Sequence, residues 1–145
     1  MTRLAAISDI HGNATALEAV LKEIARERPD AVLIAGDLVL NGPEPALVID
    51  VLRSLPPATT LIVAGNTDIA AADFDYGAAY PWMQDGVPDA IVAAAEWAHA
   101  ALGEERVDWV RRLPTERRWR ADDDTSSCRR SGHRTSLPVR TVAAR

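Results

Sequence analysis

The sequence is poor in cysteine, and its apolar residues never gather into a long run. The single cysteine, Cys128, cannot form a disulfide within the chain, so the composition does not call for an oxidising compartment. No apolar stretch approaches the roughly 18 residues that a membrane-spanning helix needs. The apolar run near the N-terminus stops at Asp9, so the run is too short for a secretory signal. We therefore expect a soluble, cytoplasmic protein without a membrane segment.

Two familiar phosphate-binding signatures are also missing. The chain has no G-x-x-x-x-G-K-S/T loop, and no G-x-G-x-x-G follows the first predicted strand. Basic residues are scarce over residues 1–114, which hold 17 acidic and 8 basic side chains, whereas residues 115–145 hold 4 acidic and 8 basic. Because nucleic-acid binding usually needs a basic face, the acidic body argues against a nucleic-acid partner and suits metal binding.

The first third of the chain alternates between two hydrophobic periods. Two segments have the spacing of an amphipathic helix, and three short apolar runs have that of β-strands. The strands are predicted at Arg3–Ser8, Ala31–Ala35 and Thr60–Ala64, and the helices at Ala14–Glu27, capped by Asn13, and from Pro43 to Pro56. This order predicts an α/β fold, a doubly wound unit with a mostly parallel sheet. Right-handed crossovers then bring the three strand ends to one edge, where such sheets bind ligands.

The rest of the chain has a weaker pattern. Residues 70–88 are predicted to be an irregular segment over the strand ends, where Tyr76, Tyr80 and Trp82 could line a substrate pocket. Two helices are predicted at 90–102 and 104–113, and a strand at 115–120. From residue 121 onward no apolar periodicity remains, which favours disorder. We therefore expect a partial domain over residues 1–120 and a disordered tail, foreign to the fold, over residues 121–145.

Polar residues follow each of the three predicted strands. Asp9 and His11 follow the first strand, Asp37 the second and Asn66 the third. Taken singly, each is more often a turn or capping residue. Carboxylates that converge at one sheet edge repel each other unless a cation neutralises them, and divalent ions accept mixed Asp, His and Asn ligands. Their joint occurrence at three strand ends therefore predicts a metal site.

The motifs DIHGN, GDLVLNGPEP and GNTD resemble those of the calcineurin-like metallophosphoesterase superfamily, whose pattern is D-x-H, G-D, G-N-H-D/E, a later H and G-H-x-H. The residues of these motifs are most similar to those of small bacterial members of the superfamily, the phosphodiesterase and diadenosine-tetraphosphatase type. The resemblance covers residues 1–120 and implies the N-terminal part of a layered α/β sandwich with two sheets.

The resemblance also implies a centre of two divalent metal ions, such as Mn, Fe or Zn. In that scheme Asp9 and His11 bind the first ion, Asp37 bridges both, and Asn66 binds the second. The implied reaction is hydrolysis of a phosphomonoester or phosphodiester by a metal-activated hydroxide. Asp37, Asn66 and Thr67 are then catalytic.

Substrate contacts are expected from three polar residues around the same strand ends. They are Asn41, in the GDLVLNGP turn, Asn66 and Thr67. The expected partner is a phosphorylated small molecule or a nucleotide. An exposed sheet edge would also favour a homo-oligomer.

Two departures from the family pattern bear on activity. Thr67 stands where the family has histidine, and a hydroxyl can bond a phosphate but cannot act as an acid near neutral pH. The later histidines have no clear counterpart. His99 lies on a predicted helix and is expected to be an ordinary surface or packing residue, and His133 lies among arginines with no strand before it. We therefore hypothesise a truncated or frameshifted reading of a longer protein, with one ion retained.

Two functions stay open on the sequence. One is a metal-dependent phosphoesterase. The other is a non-catalytic remnant or binding module that holds a metal ion or a nucleotide.

Overall fold

The computed structural model describes residues 2–121 and 124–129. The elements in these ranges alternate between strands and helices at first and end in a β-hairpin. In chain order they are β1 Leu4–Ile7, α1 Ala14–Glu27, β2 Ala31–Ile34, α2 Pro45–Ser54, β3 Thr60–Ile62, α3 Asn66–Asp73, α4 Tyr76–Ala79, α5 Asp89–Leu102, α6 Glu104–Arg111, β4 Glu116–Ala121 and β5 Asp124–Arg129.

The first three strands form a parallel sheet in the order β1-β2-β3. Its register aligns Ile7, Ile34 and Ile62 in one row across the sheet. All three strands therefore end at the same edge, and the predicted α/β fold with a parallel sheet is confirmed.

The helices pack on one face of this sheet. Ile34 of β2 lies in one apolar cluster with buried residues of the helices, including Leu17 of α1 and Leu52 of α2. The opposite face carries a smaller cluster around Leu33, against which Trp119 of β4 packs. The expected doubly wound arrangement, with helices on both faces, is wrong. Strands that follow one another in order 1-2-3 through right-handed crossovers place both helices on the same side.

The first helix has the bounds that the sequence predicts. The side chain of Asn13 accepts a hydrogen bond from the backbone N–H of Ala16 at 2.9 Å, which caps the helix start. The helix ends at Glu27, and the next residue, Arg28, takes a left-handed conformation and donates its N–H to the carbonyl of Ile24. The prediction of this helix and of its cap is confirmed.

The predicted irregular segment over residues 70–88 is wrong at its start. Residues up to Asp73 continue helix α3, which begins at Asn66, and α4 follows after Asp75. The side chain of Asp68 accepts a hydrogen bond from the backbone N–H of Gly65, the residue before the helix. This capping bond, followed by a run of alanines, stabilises a helix where periodicity alone shows none.

The tail also departs from expectation. Strand β5 pairs antiparallel with β4, from Glu116 opposite Arg129 to Ala121 opposite Asp124. Disorder was expected from residue 121, but backbone hydrogen bonds along a hairpin do not require apolar periodicity. Residues 122–123 and 130–145 lie outside the described residues, so the domain boundary at residue 120 stays a prediction.

None of the helices in the described ranges is long and apolar enough to cross a membrane.

The row of isoleucines on the helix-covered face gives a test of the fold. Ile34 is completely buried on the middle strand, so Ile34→Ala should lower the free energy of unfolding by about 2–5 kcal/mol. Val20 of α1 is 41% exposed, so Val20→Ala should change the free energy of unfolding by less than about 1 kcal/mol. Urea denaturation followed by circular dichroism measures both. Equal effects of the two substitutions would contradict the layer arrangement.

Candidate metal centre

Three of the predicted metal ligands converge at the carboxyl edge of the parallel sheet. One ligand atom of each of Asp9, His11 and Asp37 lies within 4.8 Å of the other two. Asp9 is exposed, His11 is half-buried, and Asp37 is buried with 6% of its surface accessible. The structure therefore brings together two carboxylates and one imidazole, a mixed oxygen and nitrogen donor set that suits a divalent metal ion.

The backbone at this edge takes an unusual conformation. Asp9, His11, Asp37 and Asn41 all have positive φ, between 48° and 76°. Left-handed backbone is costly for residues other than glycine and is concentrated at functional sites, although Asp, Asn and His tolerate it best. Here it is held by hydrogen bonds between neighbouring loops, such as that from the N–H of His11 to the carbonyl of Asp37 at 2.9 Å.

The imidazole of His11 is oriented by a backbone carbonyl. Its Nδ1 lies 2.8 Å from the carbonyl oxygen of Leu40. Because that oxygen can only accept, Nδ1 must donate, and in the neutral ring Nε2 keeps its lone pair. Nε2 lies 3.8 Å from Oδ1 of Asp9, so the free nitrogen points towards the carboxylates. Metal-binding histidines are commonly oriented in this way.

The carboxylate of Asp37 is held from the start of helix α3. Its Oδ1 accepts hydrogen bonds from the hydroxyl of Thr67 at 2.8 Å and from the backbone N–H of Thr67 at 3.1 Å. The helix N-terminus also carries a positive partial charge that favours a carboxylate. The carboxylate of Asp9 accepts a hydrogen bond from the hydroxyl of Ser8. Both carboxylates are thus fixed by side-chain hydroxyls.

The loops that follow β2 and β3 lie in direct contact. A Cβ added to Gly65 would lie 2.8 Å from Cγ of Asp37 and still closer to its backbone nitrogen and Oδ1. A Cβ on Gly36 would meet the backbone of Gly65 in the same way. Only glycines allow this approach.

Two other predicted site residues lie on the segments that follow β2 and β3. Asn66 is the buried first residue of α3, next to Thr67. Asn41 is exposed in the turn after β2. The assignment of Asn66 as a metal ligand, and of Asn41, Asn66 and Thr67 as substrate contacts, stays a prediction.

Asp68 is a residue of this region whose role the sequence reasoning missed. It is completely buried and bonds three backbone N–H groups, of Leu38, Val39 and Gly65. Burial raises its pKa to about 6, with a further rise from the charge of Asp37, while the N–H groups act in the opposite direction. The sequence indicates this capping role only through the position of Asp68, an acidic residue at the third position of the helix.

A groove lies along helix α4 and the segment that follows it. Its volume is about 610 Å³, and Tyr76 and Tyr80 are among its lining residues. Burial raises the pKa of Tyr80, and the next contribution is the negative charge of Asp37, so this phenol lies within the field of the centre. Of the three aromatic residues expected in a pocket, Tyr76 and Tyr80 line this groove and Trp82 is not among its lining residues. That the groove binds substrate stays a prediction.

His99, the later histidine within the described residues, does not join the group. His99 of α5 bonds the carbonyl of Ala71 through Nδ1 at 2.8 Å, and its ring lies 4.7 Å from that of Phe74. The prediction of a packing role for His99 is confirmed. His133 lies outside the described residues.

The contact between the two loops predicts the effect of a single methyl group. Gly65→Ala should displace Asp37 and weaken Mn²⁺ binding by about 10-fold or more, since the ligand can no longer keep its position. In the matched variant Gly77→Ala the new Cβ meets only Oδ1 of Asp75, at 3.6 Å, so binding should be unchanged. Isothermal titration calorimetry measures both. Unchanged affinity in the Gly65 variant would contradict the close packing of the loops.

The chain is similar to known proteins over most of its length. It is 28% identical over 119 residues to a symmetrical bis(5'-nucleosyl)-tetraphosphatase of Pectobacterium carotovorum, covering 81% of this chain and 38% of that enzyme. A second enzyme with the same name, from Serratia proteamaculans, is 32% identical over 110 residues, covering 74% of this chain and 36% of the enzyme. The chain thus spans little more than a third of the length of these curated relatives.

Solved structures agree with this similarity. A hypothetical protein of Pyrococcus horikoshii OT3 superposes with a TM-score of 0.67 at 28% identity, covering 81% of this chain and 50% of that protein. A metallophosphoesterase of Sphaerobacter thermophilus superposes with a TM-score of 0.57 at 30% identity, covering 86% of this chain and 45% of that protein. The family model described as calcineurin-like phosphoesterase matches residues 2–132. The chain therefore belongs to the calcineurin-like phosphoesterase family.

Proposed function

We propose that the chain is a metal-dependent phosphoesterase. The observation that carries the proposal is the group formed by Asp9, His11 and Asp37, whose ligand atoms lie within 4.8 Å of one another. The orientation of His11 supports it, because Nδ1 is engaged by a carbonyl and Nε2 faces the carboxylates. The donor set fits a divalent ion, and the family membership is consistent with it.

Asp9 and His11 would hold one divalent ion, Asp37 would share it with a second, and Asn66 would complete the second position. Bound ions would supply Lewis acidity to water and to the phosphoryl oxygens. The chain itself contributes the fixed orientation of the ligands. Thr67 donates to one oxygen of Asp37, and the start of α3 favours its negative charge.

The substrate we propose is a nucleotide or another phosphorylated small molecule. The two curated relatives are named as tetraphosphatases of bis-nucleosyl compounds. The groove lined by Tyr76 and Tyr80 offers two aromatic rings and a volume of about 610 Å³, which could accept a base. The body of the chain is acidic, which accords with a small substrate rather than a nucleic acid. The cytoplasmic location and a homo-oligomer stay predictions.

A second candidate function is a binding module that holds one metal ion without turnover. The observation that favours it is the content of the ligand group. Within residues 2–121 and 124–129, that group contains one histidine. Phosphoester hydrolysis and metal stoichiometry distinguish this candidate from the first.

The carboxylate proposed to share both ions gives the direct test of activity. Asp37→Asn should reduce Mn²⁺-dependent hydrolysis of bis-p-nitrophenyl phosphate by more than about 100-fold. Even the loss of a residue that only hydrogen-bonds a metal ligand lowers metal affinity or activity by about 10–100-fold. Asp85→Asn removes an exposed carboxylate with the same chemical change and should leave the rate unchanged. Absorbance of p-nitrophenolate measures both.

The count of bound Mn²⁺ per chain separates the two functions. Two ions with turnover would support the phosphoesterase, and one ion without turnover would support the binding module. A chain that binds no Mn²⁺ would contradict both.

The hydrogen bond of Thr67 predicts how the rate depends on the leaving group. Its hydroxyl donates to Asp37 and cannot act as an acid near neutral pH, so the leaving oxygen must depart without a proton from this residue. We expect log(kcat/KM) to fall steeply as the pKa of the leaving group rises. Thr67→His should make the fall shallower, and Thr67→Ser should preserve it. If log(kcat/KM) of the unmodified chain did not change with the pKa of the leaving group, the inference that Thr67 supplies no proton would be contradicted.

A further inference from the structure

Asp68 is a completely buried carboxylate to which the proposed chemistry gives no part. It lies on the first turn of α3, two residues after Asn66, and none of its surface is accessible. Burying a carboxylate is costly unless hydrogen bonds compensate for the water that it loses. Its partners therefore indicate what the residue does.

Both oxygens of Asp68 accept hydrogen bonds from the backbone of two different loops. Oδ1 accepts from Leu38 at 2.8 Å and from Val39 at 3.2 Å, directly after Asp37. Oδ2 accepts from Gly65 at 2.7 Å, directly before Asn66. One side chain thus ties the loop after β2 to the loop after β3, which are the loops that carry two of the proposed ligands.

The three partners are all donors, so the site requires an acceptor on both oxygens. An asparagine has the same shape, but its amide would turn an N–H group against one of these backbone donors. The main chain of Leu38 and Val39 is enclosed together with their side chains, which are fully buried. Loss of the acceptor would leave a donor unpaired away from water. The carboxylate is therefore required for the relative position of the loops.

We propose that Asp68 is a positioning residue for the metal centre. It acts through the backbone of the two loops, fixing Asp37 against Asn66 before a metal ion arrives. The inference rests on the proposed metal-dependent function. The close contact of Gly65 with Asp37 supports it, because a small shift of one loop would move that ligand directly.

The test compares two aspartates on the same helix. Asp68→Asn should weaken Mn²⁺ binding by about 10- to 100-fold, the range found when a partner of a metal ligand is lost. Asp73, at the end of α3, is exposed and pairs with Arg111 at 2.7 Å. The matched variant Asp73→Asn should bind Mn²⁺ as the unmodified chain does. Calorimetric titration gives the dissociation constants, and urea denaturation of the metal-free proteins gives their stabilities.

A merely structural role would have a different signature. In that case Asp68→Asn would lower the free energy of unfolding, yet the folded protein would bind Mn²⁺ with unchanged affinity, and this result would overturn the inference. An unmodified chain that binds no Mn²⁺ would contradict the proposed function, and the inference with it.

A measurement on the unmodified chain covers the case in which Asp68→Asn does not fold. The backbone amides of Leu38, Val39 and Gly65 donate to Asp68 in the metal-free protein, so their hydrogen exchange should already be slow before Mn²⁺ is added. Fast exchange that becomes slow only on addition of Mn²⁺ would overturn the inference, since the loops would then be positioned by the metal.

Discussion

Two carboxylates converge at one end of a parallel sheet, and the hydrogen bonds of the surrounding loops hold them close together. Asp9 and Asp37 approach within 4.8 Å together with His11, although like charges at this distance repel each other. The repulsion is opposed by hydroxyl donors, by the start of helix α3 and by the backbone bonds between loops. A divalent cation is the group that removes it, which is why the arrangement indicates a metal centre.

The precision of the centre depends on contacts between loops that are distant in sequence. Left-handed backbone at Asp9, His11 and Asp37 is unfavourable for an isolated chain and persists because neighbouring loops hold it. Gly65 permits the approach of two loops, and Asp68 links their main chains. Ligands fixed before binding would lose little conformational freedom when an ion arrives, so this strain fits the proposed metal site.

Much of the fold could be predicted from hydrophobic periodicity, because burial of one helix face or strand leaves a local pattern. The bounds of α1 and its Asn13 cap followed from such a pattern, as did the three strands whose ends carry the site. Helix α3 could not be found in this way, since its start depends on the bond from Gly65 to Asp68 rather than on periodicity. Strand β5 depends on pairing with β4, and the one-sided placement of the helices depends on strand order. Both are non-local properties. The convergence of Asp9, His11 and Asp37 was predictable from their positions after the strands, whereas the hydrogen-bond partners of these side chains were not.

The central claim is that these strand ends form a metal site, and its most direct test is the crystal structure of the chain with Mn²⁺, with anomalous scattering used to locate the ion. We expect an anomalous peak in contact with a carboxylate oxygen of Asp9, with Nε2 of His11 and with a carboxylate oxygen of Asp37. A saturated crystal with no peak at this edge of the sheet, or with Mn²⁺ bound only elsewhere, would contradict the claim.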